Sequence, residues 1–363
     1  MTRIFRLERS SRTALISFVA ALAVRKIWFV KESDVNWSVR KPFAFGWLFT
    51  LLLWQPLSAQ QLPQYSLYML DPVQLNPAAA GLENTLVATG AYRAQWTGLP
   101  GNPVGQRISA HLPLNIINSG IGFAGEIDEL GARRYSRFGV AYNYQLTRGK
   151  NKFSLGVNAR MNQLRLFGDR LRTPDGTYDP PQNVLVHNDD LLPNGELTSS
   201  QFSLGAGLYY KGEQLEVGIS ALHLNAPVVE LESLDWTLAR QYNLFVRYTM
   251  DIFGSWQFIP SALVRNDGVQ TQAELSAVFQ RDENIFLGTS VRGYNESTLD
   301  AVVLLAGLKV SPKITLAYAY DLSLSGLRDV QSGTHEVVIG YRLGTPIGAG
   351  SPPPIIYNPR TKE

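Results

Sequence analysis

The sequence predicts an all-β fold: a transmembrane antiparallel β-barrel of about fourteen strands, with short periplasmic turns and longer outer loops. Three observations carry this. Apolar and polar residues alternate in segments of about ten residues from 85 to 344, as in Phe138-Gly139-Val140-Ala141-Tyr142-Asn143-Tyr144-Gln145-Leu146. Successive strand side chains face opposite sides, so that segment has one apolar, aromatic face and one small, polar face. The connections between segments are alternately tight and long, as in outer-membrane barrels. Charged residues make up only 17% of the chain, and no run of about 18 uncharged apolar residues lies beyond residue 60. A wall with lipid outside and a crowded polar lumen inside explains all three.

From the N-terminus, residues 1–59 read as a leader containing a signal peptide. Arg40-Lys41 precede the apolar run Phe43 to Leu53, and Ser58-Ala59 supply small residues before Gln60, so cleavage is expected after Ala59. An upstream run, Ala14 to Val24, is also apolar. Either the start codon is mis-assigned and the natural chain begins near residue 35, or the leader is long. The +3 net charge belongs to this region. Of 33 basic and 30 acidic residues, nine and three fall within 1–59, which leaves 24 and 27 and a net −3. No basic stripe for nucleic acid follows. The absence of cysteine excludes disulfides, thiolate metal sites and a cysteine nucleophile.

Residues 60–84 are too broken by Pro and Gly for a long helix and read as a plug or periplasmic segment. Strands are expected near 85–98, 102–114, 119–130, 133–147, 152–166, 200–211, 214–224, 240–251, 255–265, 269–281, 284–295, 298–311, 314–324 and 333–344. Tight connections fall at 115–118, 149–151, 212–213, 253–254, 282–283 and 312–313; long ones fall at 167–199, 225–239 and 325–332. An open sheet in hydrocarbon would leave edge N–H and C=O groups unpaired, so the last strand must pair with the first. Arg93, Gln95, Arg137, Asn143, Arg160, Arg247, Arg292 and Arg342 are expected to face the lumen. An Arg facing lipid at mid-depth would cost about 2–4 kcal/mol. Residues 345–363 form a tail with Ser351-Pro352-Pro353-Pro354, which cannot extend a strand.

Chemistry is sparse. The four histidines, His111, His187, His223 and His335, lack metal-ligand spacing. A hydrolase at the outer rim would need Ser109 and His111 to meet, yet two residues apart they share a face without facing each other. Loop 167–199 holds Asp175, Asp179, Asp189, Asp190 and Glu196. It reads as a Ca²⁺ or cargo-contact loop, or as an ordinary solvated loop; Pro174-Asp175-Gly176 is common turn chemistry. Neither a cofactor nor a resident metal is expected. Tyr92-Arg93-Ala94-Gln95-Trp96 has two compatible readings. Tyr92 and Trp96 are interfacial aromatics, and Arg93 and Gln95 either bond within the lumen or hold segment 60–84.

Several motifs resemble the PorP/SprF family of outer-membrane proteins of the type IX secretion system: Gln64-Tyr65-Ser66-Leu67-Tyr68-Met69, Asn76-Pro77-Ala78-Ala79-Ala80-Gly81 and Tyr92-Arg93-Ala94-Gln95-Trp96. Pro103, Pro113, Leu204–Tyr210, Val217–Asn225, Tyr320-Asp321 and Thr334-His335-Glu336 extend the match across 60–344. The Pro-rich tail and the N-terminal extension depart from the pattern. The tail would make the terminal assembly signal internal, around Val337–Leu343. The resemblance implies a non-enzymatic accessory barrel in the outer membrane. It implies that Asn76, Pro77, Gly81, Tyr92, Arg93, Gln95 and Trp96 are structural or plug-contact residues. It also implies partners: outer-membrane lipid, type IX secretion and gliding machinery, and a secreted cargo or surface adhesin with a C-terminal sorting domain. The rival readings are a solute channel, which requires an open lumen; a rim hydrolase; and a soluble all-β protein.

Overall fold

The structure is a computed structural model that describes residues 63–345 and 347, apart from 180–183, 191, 232–233 and 295–298. The leader and its cleavage site, and most of the C-terminal tail, lie outside the described residues.

Strands β1 (Val87–Ala94), β2 (Val104–Leu114), β3 (Ser119–Leu130), β4 (Arg133–Arg148) and β5 (Asn151–Phe167) meander in chain order. Two short strands, β6 (Thr177–Asp179) and β7 (Val184–Val186), form a hairpin in the following loop. The wall resumes with β8 (Glu196–Lys211) and β9 (Leu215–Leu222). A second loop hairpin, β10 (Val228–Leu231) with β11 (Leu234–Thr237), precedes β12 (Gln241–Tyr248) and β13 (Met250–Phe253). The wall ends with β14 (Trp256–Asn266), β15 (Thr271–Arg281), β16 (Ile285–Arg292), β17 (Ala301–Ser311), β18 (Ile314–Ser323) and β19 (Thr334–Arg342). β19 pairs antiparallel with β1, from Val87 opposite Arg342 to Ala94 opposite His335, and the cylinder is closed.

β12 and β13 are two halves of one wall strand, so the barrel has fourteen. The break between them has a local cause. β14 pairs with β12 as far as Ser261 and with β13 from Phe258 onward, and Pro260 falls between. Proline has no N–H to give the ladder. Thr249 opposite the gap donates its N–H to the Gln214 carbonyl instead, at 2.8 Å.

Alternation sorts the side chains as the sequence predicts. Phe138 (45% exposed), Tyr142 (46%), Leu155 (59%) and Val157 (54%) ring the outside, while Asn143, Asn158 and Arg160 are buried within. The outward apolar run of β4 spans Phe138 to Leu146. Nine residues of tilted strand cover roughly 25 Å, the height of the lipid-facing band of such barrels. The tight connections, including 149–150 and 312–313, gather at one end with the end of β19. The two loop hairpins lie at the other end. By the asymmetry of outer-membrane barrels, the turn end is periplasmic and the loop end external.

Three expected lumen residues lie at an end of the barrel rather than deep within it; Arg247 and Arg342 still face inward, toward Glu216 and Glu83. Gln95 lies just past the end of β1, half-buried in the turn to β2. Arg342 ends β19 and is exposed at the turn-end mouth, and Arg247 is only partly covered there. All three lie near strand ends, where the wall gives way to an opening. The two loop hairpins were not foreseen; strands of three or four residues show too little alternation to register.

Candidate functional site: the plugged lumen

Residues 63–84 pass down the inside of the barrel. They contain only a four-residue helical turn, Pro72–Leu75, and short 3-10 turns. Such a segment inside a barrel must find partners for its backbone polar groups, and the wall supplies them at each level.

Near the loop end, Ser66 is completely buried between Arg93 of β1 and Arg292 of β16. Its hydroxyl accepts from Arg93 Nη1 (3.1 Å) and Arg292 Nη2 (2.8 Å) and donates to Asp321 Oδ1 (2.7 Å). One donor and two lone pairs are thereby used in full. Arg93 also bridges Asp321 (2.7 Å) and Glu336 (3.0 Å), and Arg292 bridges Glu274 and Asp321, each at 2.9 Å. Glu336 in turn accepts the backbone N–H groups of Ser66 (2.7 Å) and Leu67 (3.1 Å). β1, β16, β18 and β19 thus converge on one plug residue through charge-assisted bonds, the stronger class.

Lower down, the Tyr68 hydroxyl lies 3.0 Å from Ser261 Oγ and 3.1 Å from Ser276 Oγ. Buried Asp71 accepts from Ser109 at 2.8 Å and lies 3.8 Å from Arg107. Gln74 donates to the Ile108 and Gly125 carbonyls, and Arg160 donates to the Gln74 carbonyl at 2.9 Å. Asn76 donates to the Leu208 (2.9 Å) and Ile219 (3.1 Å) carbonyls across β8 and β9, and its Oδ1 accepts from Ala78 N. Asn143 donates to the Pro77, Ala78 and Ala80 carbonyls, the last at 2.7 Å.

The wall makes room for this contact. A Cβ on Gly156 would sit 2.5 Å from Ala78 N, and one on Gly120 would sit 2.2 Å from the Ala80 oxygen. Gly81, at φ +72°, turns the plug toward the turn end, and its N–H donates to His111 Nδ1 at 3.0 Å. Beyond it Glu83 meets Lys211 (2.5 Å) and Arg342 (2.8 Å). Burial pushes the Glu83 carboxyl up, but the two cations outweigh burial and hold it well below the usual carboxylate range. The first tail residues return to this exit: Thr345 accepts from Thr85 Oγ1 and Ile347 donates to the Asn84 carbonyl, each at 3.0 Å.

Among the seven residues singled out from the sequence, Asn76, Pro77 and Gly81 lie in the plug, and Arg93 touches it. Tyr92 does not, because alternation turns it outward, 48% exposed. Trp96 follows β1 at φ +52°, and its N–H donates to Thr334 Oγ1. Gln95 bonds through its backbone to Pro103 and Asn102. Sequence reasoning did not assign Ser66 and Glu336 to the plug contact; most of their partners lie some 225–270 positions away in the chain.

The histidines and acids find structural surroundings. Ser109 and His111 lie in the lumen, bonded to Asp71 and Gly81 of the plug. His335 bonds the Tyr318 hydroxyl, and His187 lies between the Tyr178 hydroxyl and the Pro193 carbonyl. Among the described residues, no group of three or more His, Cys, Asp or Glu is placed to hold a metal.

The sequence matches, over residues 57–341, the family described as type IX secretion system membrane protein PorP/SprF. The chain belongs to the PorP/SprF family. It is an outer-membrane protein, and the family places it in the type IX secretion system. No curated protein matches the sequence. Solved barrels similar to it include the Acinetobacter baumannii outer-membrane protein Omp33, at 6% identity and a TM-score of 0.41 over 71% of this chain and 97% of that one. A Pseudomonas aeruginosa FadL homologue matches at 10% identity and a TM-score of 0.41, over 73% of this PorP/SprF chain and 92% of its own. Likeness at this level carries no argument about function.

Proposed function

We propose that this PorP/SprF protein is a plugged, non-enzymatic accessory barrel. It helps particular cargo proteins with C-terminal sorting domains reach or hold the cell surface, and it links that task to periplasmic secretion and gliding components. The observation that carries the reading is the family match across the whole barrel, joined to a lumen occupied by the protein's own segment. A solute channel needs a continuous water path, and residues 63–84 stand in it at every level from Ser66 to Glu83. Work is therefore assigned to the two ends. The loop end offers long connections and two hairpins, where barrels carry partner contacts. The turn end offers the plug exit and the docked start of the tail.

The test is quantitative mass spectrometry of surface and secreted proteins from a strain lacking the gene, with a complemented control. A selective loss, tenfold or more, of one or a few proteins bearing C-terminal sorting domains is expected. An unchanged exported set would contradict the proposal.

A further inference from the structure

The wall is not of even height. β4, β5 and β8 have 16, 17 and 16 residues, whereas β1 and β16 have 8 each. At the loop end β4 continues above Phe138 as far as Arg133, and β5 continues above Met161 as far as Phe167. The outward-facing positions there are Ser136 and Arg134 on β4, and Gln163, Arg165 and Phe167 on β5. Arg134 lies four positions beyond Phe138, about 10 Å higher in a tilted strand. That places it above the hydrocarbon, at the level of the headgroup layer. On the far wall the outward residues stay apolar to the strand ends, at Val291 and Leu322.

Arg134 and Arg165 stand directly opposite each other across β4 and β5. Like charges in that position repel. Each turns to an acid on its far side: Arg134 meets both Glu129 oxygens at 3.1 Å, and Arg165 meets Glu196 at 3.1 Å. Arg170, in the turn after β5, shares Glu129 at 3.1 Å. It lies 4.2 Å over the Phe167 ring, which Arg134 also approaches at 5.4 Å. Three guanidinium groups thus share two carboxylates. All five side chains are between 31% and 46% exposed. Exposed ion pairs are weak, so a more highly charged anion can displace the acids. The planar donor fork of arginine matches phosphate. Below the cluster, on the lipid-facing side of β19 and β1 to β4, Gly90, Tyr92, Ile108, Gly125, Phe138 and Ile339 line an apolar groove of about 420 Å³.

We infer that Arg134, Arg165 and Arg170 bind the phosphate of a phosphorylated glycolipid of the outer leaflet, with one of its acyl chains in the groove. A phosphate bridging Arg134 and Arg165 relieves their repulsion and supplies the charge that two shared carboxylates leave short. The lipid is the source because the cluster lies on the outside of the wall, directly above the apolar band, and not in the lumen or on a loop tip. The inference depends on the loop end being external, and it holds whether or not the proposed secretion role does.

The test titrates the full chain, purified in a mild detergent, with lipid A, an acylated glucosamine disaccharide carrying two phosphates. Bound lipid is counted by native mass spectrometry. The double variant Arg134→Gln with Arg165→Gln should lower the apparent affinity about tenfold or more, and each single replacement about threefold or more. The single variants decide the matter if the double fails to assemble. Arg281→Gln, an outward arginine at the turn end, is the control and should stay within about twofold of the unaltered protein. Lipid A stripped of its phosphates should bind the unaltered protein about tenfold more weakly or worse. Glu129→Gln frees Arg134 and Arg170 and should bind at least as tightly. Equal affinity in the arginine variants, or for lipid with and without phosphate, would overturn the inference. Displacement of the lipid by a tenfold excess of inorganic phosphate would overturn the assignment to a lipid. A tenfold loss in Glu129→Gln would reduce the five side chains to a structural network.

Discussion

Ser66 is held by two guanidinium groups, a carboxylate and, through its N–H, a second carboxylate. Removing the hydroxyl leaves Arg93 and Arg292 each short of an acceptor in a buried place. Ser66→Ala should weaken plug docking by about 1–3 kcal/mol. Arg93→Met strips a cation from two buried carboxylates and should cost about 3–5 kcal/mol. Proteolysis of transiently open segments tracks the open population. In detergent, cleavage within 63–84 should therefore accelerate about tenfold or more for Ser66→Ala and a hundredfold or more for Arg93→Met. Unchanged cleavage in both would remove the cluster as the anchor. Glu83 adds a pH dependence. Its native value lies below its unfolded one, so its contribution is fully present above the ordinary carboxylate value of about 4.3 and is lost as pH falls through the depressed native value. Hydrogen exchange of residues 80–86, corrected for intrinsic rate, should show protection held from pH 7 to 5 and weakening below about pH 4. Glu83→Gln should lack that change.

The plug and the strands around it were legible to different depths. All fourteen wall strands were foreseen to within a few residues, because period-two alternation over eight or more positions is a strong signal and lipid enforces it. The irregular segment before β1 was legible from its three prolines and Gly81, and Arg93 from its inward parity. The pairing of Ser66 with Asp321 and Glu336 was not, since closure of the barrel brings together positions that no local pattern connects. Nothing in the local pattern marks Gly120 and Gly156 as plug contacts; the structure shows close approach to Ala80 and Ala78. Gly156→Val should displace the plug while the wall remains intact. Circular dichroism should keep its strand content while cleavage within 63–84 rises at least tenfold. Loss of the strand signal would instead assign Gly156 to the wall itself.

At the scale of the molecule, a closed antiparallel wall places its apolar face in lipid and its polar face around a covalently attached filling. Closure removes every sheet edge, as hydrocarbon requires. The filling satisfies buried charges that an empty lumen would leave to water. The most direct measurement is conductance in planar bilayers of the purified protein beside a variant lacking residues 63–84. The intact protein should show no steady open-pore current, and the variant should conduct. A stable ohmic current from the intact protein, unchanged by the deletion, would contradict the plugged barrel.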